Sequence, residues 1–138
     1  MTSYKHEIEL ITKQENAEVV LAFIEAHTQG MDDAKLARQM QLVGEELIVN
    51  VFTHAYAGSE GYFFLRISLF PEQRRFEMEI RDKGMPYNPL TRETPDTTIP
   101  IEDRQIGGLG VMLSIKMTDS QRYLRRNGHN ILVVSKNY

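Results

Sequence analysis

The sequence predicts an α+β chain, a two-layer sandwich whose mostly antiparallel sheet carries helices on one face. Three observations lead there. Segments of period two and segments of helical period follow in the order strand, helix, helix, strand, strand, loop, helix, strand, strand. Short connections between successive strands read as hairpins, which make neighbouring strands antiparallel. Along one strand Phe76, Met78 and Ile80 alternate with Glu77, Glu79 and Arg81, so that one sheet face is apolar and the other turns to solvent.

From Lys5 to Ile11, Ile8 and Leu10 share one face and Glu7 and Glu9 the other, which predicts the first strand. Thr12 followed by Glu15 fits a capping box, in which hydroxyl and carboxylate each satisfy a free N–H at a helix start, and the helix should run to about His27. Gly30 closes the connection, Asp32 or Asp33 can cap a second helix, and Leu36, Met40, Val43, Leu47 and Val51 recur along it at helical spacing. After Gly58 and Gly61, Phe63, Leu65, Ile67 and Leu69 alternate with less apolar positions, and Phe76, Met78 and Ile80 do so again beyond Pro71-Glu72-Gln73. The stretch from Pro86 to about Ile106 shows neither period and reads as a long loop, which compact domains keep for function. Helical spacing returns from Leu109 to Met117, Asp119 marks the end, and a last hairpin turns at Asn127-Gly128 before the run Ile131 to Val134.

A length of 138 residues suits one domain over 1–138, with hydrophobic and charged fractions of 41% and 25% that match globular chains. A net charge of -3 gives no electrostatic reason to expect nucleic acid or an anionic membrane as partner, and the basic cluster Arg122, Arg125 and Arg126 is local. Without cysteine there is no disulfide framework, thiolate zinc site or cysteine nucleophile. Met1 to Leu10 lacks the apolar run of a secretory signal, and no stretch has the length of a membrane span, so a cytoplasmic location is expected. His6, His27 and His129 show no metal-ligand spacing.

On a wheel of about 100° per residue, Asn50 falls inside or beside the apolar arc of the second helix and Glu46 lies one position further round. A buried amide or carboxylate needs partners, either neighbouring backbone and solvent or a ligand and metal. Asp82 ends an alternating strand and Gly84 follows it. An acceptor-only carboxylate suits a ring amino group and a glycine lets a flat ring approach, although Asp-x-Gly is also a plain turn. Gly107-Gly108-Leu109-Gly110 stands between the loop and a helix, where free N–H groups can meet a phosphate or the glycines can serve as a hinge.

The order of these segments is more specific than any one of them. Glu46-x-x-x-Asn50, then Asp82-x-Gly84-x-Pro86-Tyr87-Asn88-Pro89, then Gly107-Gly108-Leu109-Gly110 opening a helix resembles the boxes of the gyrase, histidine kinase and MutL ATPase superfamily. The Met-Pro-Tyr-Asn-Pro continuation and the ending from Thr118 through Tyr123 to Asn130 are similar to the anti-sigma regulatory serine/threonine kinases, and the resemblance covers nearly the whole chain.

The resemblance implies a histidine kinase-like ATPase fold with ATP and Mg2+ as cofactors. It makes Glu46 the general base and Asn50 the ligand of a magnesium that bridges the phosphates. It gives Asp82 the adenine amino group, Gly84 the room for the ring, and Gly107, Gly108, Leu109 and Gly110 the phosphate side. Residues of about 90–106 become an ATP lid, and Arg104 stands nearest an arginine that in some members precedes the glycine run. Val51 takes a place where a small residue is usual. His54, one turn beyond Asn50, is expected to be a packed or surface residue. The implied activity is ATP-dependent serine/threonine protein kinase, with a sigma factor as bound partner and an anti-sigma factor antagonist as phosphoacceptor, often in a homodimer. The other class open to such a chain is a non-catalytic ATP-binding module that regulates by binding alone.

Overall fold

The computed structural model describes residues 3–91 and 108–138. Along them run β1 (Tyr4–Ile11), α1 (Gln14–Thr28), α2 (Ala34–His54), β2 (Tyr62–Phe70), β3 (Arg75–Asp82), α3 (Gly108–Lys116), β4 (Ser120–Arg126) and β5 (His129–Asn137), with single 3-10 turns at Pro71–Gln73 and Pro89–Thr91. The sheet has the order β1-β2-β3-β5-β4, and every pairing in it is antiparallel. Ile8, Leu65, Ile80 and Leu132 stand opposite one another across four strands. The next inward row is Leu10, Phe63, Asp82, Asn130 and Arg125, so the apolar floor turns polar where β3 ends.

Three helices lie on that face, and the core fills the space between the layers. Val20 and Ile24 of α1, Met40, Val43 and Ile48 of α2 and Val111 of α3 meet Phe63, Phe76 and Met78 of the sheet, all of them essentially without exposure. α2 owes its start to Asp33, whose Oδ1 accepts from the Leu36 N–H at 3.0 Å and satisfies one of the free donors of the first turn. The β4–β5 hairpin turns as its sequence requires, with Asn127 at φ 52° and Gly128 at φ 75°, the left-handed pair of a two-residue turn.

Two local expectations are corrected. Thr12 does not cap α1; the cap position belongs to Lys13, which makes no side-chain cap bond. The Thr12 hydroxyl instead accepts from the Gly61 N–H at 3.0 Å while the Thr12 N–H donates to the Gly61 carbonyl at 2.9 Å, a tertiary tie that outcompetes the local box. On the outer sheet face Glu77, Glu79 and Arg81 are half-buried rather than freely solvated. The three helices of the described residues lie on the other face. These side chains cover one another: Glu79 pairs with Arg81 and Arg66, and both guanidinium groups sit over the buried Phe64 ring, at 4.9 and 5.3 Å from its centroid.

β1 meets α1 through a stacked pair, His6 and His27, with ring centroids 4.0 Å apart and the Phe23 ring 4.4 Å from His27. Burial, and then the neighbouring His6, lower the pKa of His27 from its ordinary 6.5. Between that lowered value and 6.5 the unfolded chain binds more protons than the folded one, so stability rises with pH across the window. Urea midpoints should therefore fall as the pH is lowered through the region below 6.5, and His27→Gln should flatten that slope.

The side-by-side residues Ile48 and Val49 give a second test, because Ile48 is fully buried and Val49 is 50% exposed. Ile48→Ala should cost about 2–5 kcal/mol in urea unfolding, and Val49→Ala no more than about 0.5 kcal/mol.

Candidate active site

Asp82 is the last residue of β3 and is buried. A carboxylate taken out of water must be met by donors, and its Oδ1 receives two: the Gly84 N–H at 2.8 Å and the Asn130 Nδ2 at 2.9 Å. The same Asn130 Nδ2 donates to the Met85 carbonyl at 2.8 Å, and Asn130 Oδ1 accepts from the Tyr87 N–H at 3.2 Å and from the Tyr123 hydroxyl. Arg125 donates to the Gly84 carbonyl at 2.8 Å. The segment 82–87 is thus held from the side of the last hairpin.

From the other side it is held by the end of α2. A Cβ on Gly84 would stand 2.2 Å from the Ala55 carbonyl oxygen, so only glycine allows the approach. The Met85 N–H points at that same carbonyl at 3.4 Å. Tyr56 adds a clamp, since its hydroxyl accepts from the Lys83 N–H at 2.7 Å and donates to the Tyr62 carbonyl. Burial raises the pKa of Tyr56; the Lys83 N–H bond opposes this and the Asp82 charge adds to it.

Glu46 and Asn50 stand one turn apart on α2. Asn50 is half-buried, as the wheel suggests, but Glu46 is exposed, because it lies at the rim of the arc centred on Met40, Leu47 and Val51. Its carboxylate is defined by a neighbour from another helix: a Cβ on Gly110 would stand 2.3 Å from Glu46 Oε2. Gly108, Leu109 and Gly110 form the first turn of α3, so their N–H groups are donors without a helical acceptor. α2 therefore sets Glu46 beside Gly110 at one place and its cap residue Ala55 beside Gly84 at another, about 14 Å further along its axis at about 1.5 Å per residue. His54 is exposed, in line with a surface role. Gly107, Arg104 and residues 92–106 of the expected lid lie outside the described residues.

Asn130, Tyr123, Arg125 and Tyr56 were not singled out as site residues by the sequence reading. One signal was available for Asn130: it occupies the inward parity of β5, in step with Leu132 and Val134, and a polar residue at an inward position requires partners. Two surface clefts lie elsewhere, one around Ile11, Glu60 and Tyr62 and one around Gln29, Asp33 and Arg38. Neither includes Glu46, Asn50 or Asp82.

A sheet with helices on one face, a buried carboxylate at a strand end and a glycine-led helix beside Glu46 are the features to be placed in a class. Residues 10–136 match the model of the histidine kinase-like ATPase domain, and the chain belongs to that family. It is similar to the serine/threonine-protein kinase BtrW of Bordetella bronchiseptica (strain ATCC BAA-588 / NCTC 13252 / RB50), with 26% identity over 102 residues that make up 74% of this chain and 71% of that protein. Its fold superposes with a TM-score of 0.63 on the crystal structure of the RsbU and RsbW domains of Rv1364c from Mycobacterium tuberculosis, at 14% identity. That match takes in 97% of this chain and spans about a third, 32%, of the other chain's length. Among the described residues no helix is long and apolar enough to cross a membrane.

The two close glycines should respond differently to an added methyl. At Gly84 the obstacle is a backbone carbonyl that cannot swing away, so Gly84→Ala should lower the melting temperature by several degrees, about 1–3 kcal/mol of overpacking. At Gly110 the obstacle is the end of a flexible side chain. Gly110→Ala should leave melting within about 0.5 kcal/mol of wild type and displace only the Glu46 carboxylate.

Proposed function

We propose that this chain, acting as one ATP-binding domain over residues 1–138, is an ATP-dependent serine/threonine protein kinase of the anti-sigma type. It binds a sigma factor and phosphorylates an anti-sigma factor antagonist. The observation that carries the reading is the approach of Glu46 to Gly110, which sets a carboxylate beside the N–H groups that open α3 and have no acceptor within the helix. Those N–H groups and the positive end of the helix suit a terminal phosphate, and a carboxylate within reach suits a hydroxyl that attacks it.

In this reading Asp82 accepts from the adenine amino group, Gly84 lies under the ring, and α2 spans the distance from base to phosphates. Gly107, Gly108, Leu109 and Gly110 receive the phosphates, with Arg104 as an additional contact. Glu46 removes the proton from a serine or threonine hydroxyl as its oxygen bonds to the terminal phosphorus and the bond to the ADP oxygen breaks. Among the described residues no group of three His, Cys, Asp or Glu gathers to hold a metal alone. Asn50 offers one neutral oxygen donor, which fits Mg2+ completed by phosphates and water. When bound, the ion neutralises phosphate charge.

The test incubates the protein with labelled ATP, magnesium and a candidate antagonist, and follows nucleotide binding and label transfer separately. Glu46→Gln should lower transfer by about 10²- to 10⁴-fold with ATP affinity little changed. Asn50→Ala should weaken magnesium-dependent binding and transfer together, and Asp82→Asn should weaken adenine recognition in a folded protein. A wild-type protein that binds ATP and antagonist yet transfers no label would exclude the kinase and leave a switch that works by binding alone.

A further inference from the structure

Asn130 is the most fully engaged polar side chain of the described residues around Asp82, and neither a catalytic nor a ligand-binding role accounts for it. Its amide makes four hydrogen bonds: two donated by Nδ2, to Asp82 Oδ1 at 2.9 Å and the Met85 carbonyl at 2.8 Å, and two accepted by Oδ1, from the Tyr87 N–H at 3.2 Å and the Tyr123 hydroxyl. That exhausts the donors and lone pairs of a primary amide. The orientation has one solution. Rotating the amide by half a turn would set its oxygen against a carboxylate and a carbonyl, and its NH2 against a backbone N–H.

We propose that Asn130 is a positioning residue for base selection, an inference that rests on the nucleotide reading above. Asn130 and the Gly84 N–H together occupy Asp82 Oδ1, so both described bonds to the carboxylate fall on one oxygen. That leaves the other oxygen, Oδ2, to accept from a bound ring, and in the proposal it does so. An acceptor at that place favours adenine, whose six-position amino group donates, and opposes guanine, whose six-position carbonyl does not. Through Met85 and Tyr87 the same amide fixes the backbone that follows Gly84, and with it the floor on which the ring would rest. Tyr123, on the edge strand β4, acts one step further out by holding the amide in its one orientation.

Two substitutions separate this role from plain stability. Asn130→Asp preserves the volume and the acceptor for Tyr87 and Tyr123, but replaces the donor toward Asp82 and Met85 with a second carboxylate oxygen. Tyr123→Phe removes a single hydroxyl from a side chain that is not fully buried, and keeps the ring.

Calorimetric titration of the full chain with ATP and with GTP, each with magnesium, gives the ratio of affinities, and thermal melts give the fold. The wild type should prefer ATP by at least about tenfold, the scale of one well-placed hydrogen bond against a repulsive contact. Asn130→Asp should bring that ratio to near unity by weakening ATP while GTP stays as it was, and Tyr123→Phe should lower it by about threefold. If Asn130→Asp folds and keeps the wild-type ratio, the residue is merely structural and the inference is overturned. If Asn130→Asp does not fold, Tyr123→Phe decides in the same way. A wild type that binds ATP and GTP alike overturns the inference and leaves the nucleotide reading standing; one that binds neither overturns both.

Discussion

A carboxylate buried at the end of a central strand has to be paired, and the pairing of Asp82 organises one whole end of this molecule. β3 lies in the middle of the sheet order, so Asp82 has a strand on each side and helices above, with little water to solvate its charge. The donors are found in the next turn, at Gly84, and across the sheet, at Asn130. Each choice has consequences. Using the Gly84 N–H forces the chain to turn immediately, which presses it against the Ala55 carbonyl and requires glycine there. Using Asn130 draws in Met85, Tyr87 and Tyr123, because an amide buried for one bond must fill its remaining positions.

α2 connects this end to the other half of the candidate site. Its buried stripe fixes its rotation against the sheet, and the rotation then decides which residues face the rim. Asn50 arrives half-buried and Glu46 exposed, and Gly110 of α3 approaches Glu46 because it has no side chain to prevent it. The charge network on the opposite sheet face plays no part in that geometry. Its ion pairs are partly solvated, where such pairs contribute about 0–1 kcal/mol each, and the covering of Phe64 by two guanidinium stems is their more tangible effect.

What the sequence made legible was local. The Asp33 cap, the Asn127-Gly128 turn and the alternation of β2 and β3 are each written within a few residues, and the structure has them. The order of Glu46, Asn50, Asp82, Gly84 and the glycine run was equally readable, since order along the chain is what a sequence displays. Thr12 misled because its true partner, Gly61, lies 49 positions away, and a capping box is a local rule that a better distant partner defeats. The exposure of Glu46 was illegible for a related reason: a wheel gives angles, and whether a residue on the rim is covered depends on α3. Asn130 was hidden because three of its four partners are more than 40 residues away, although its inward parity on β5 marked it as a polar group in need of company.

These constraints divide the candidate site into a rigid part and an adjustable part. At the Asp82 end most contacts are backbone or a well-bonded side chain: Gly84 against a carbonyl, Lys83 on Tyr56, Met85 and Tyr87 on Asn130. Such a surface cannot move one group without breaking several bonds, which suits the recognition of a flat ring of fixed hydrogen-bonding pattern. At the Glu46 end the defining contact is a flexible carboxylate over a glycine, open to solvent. In the proposed kinase a base would have to meet a hydroxyl brought by another protein, and a side chain free to adjust on an otherwise fixed helix could do so where a saturated one could not. The buried polar groups hold the first end still, and the second is left exposed.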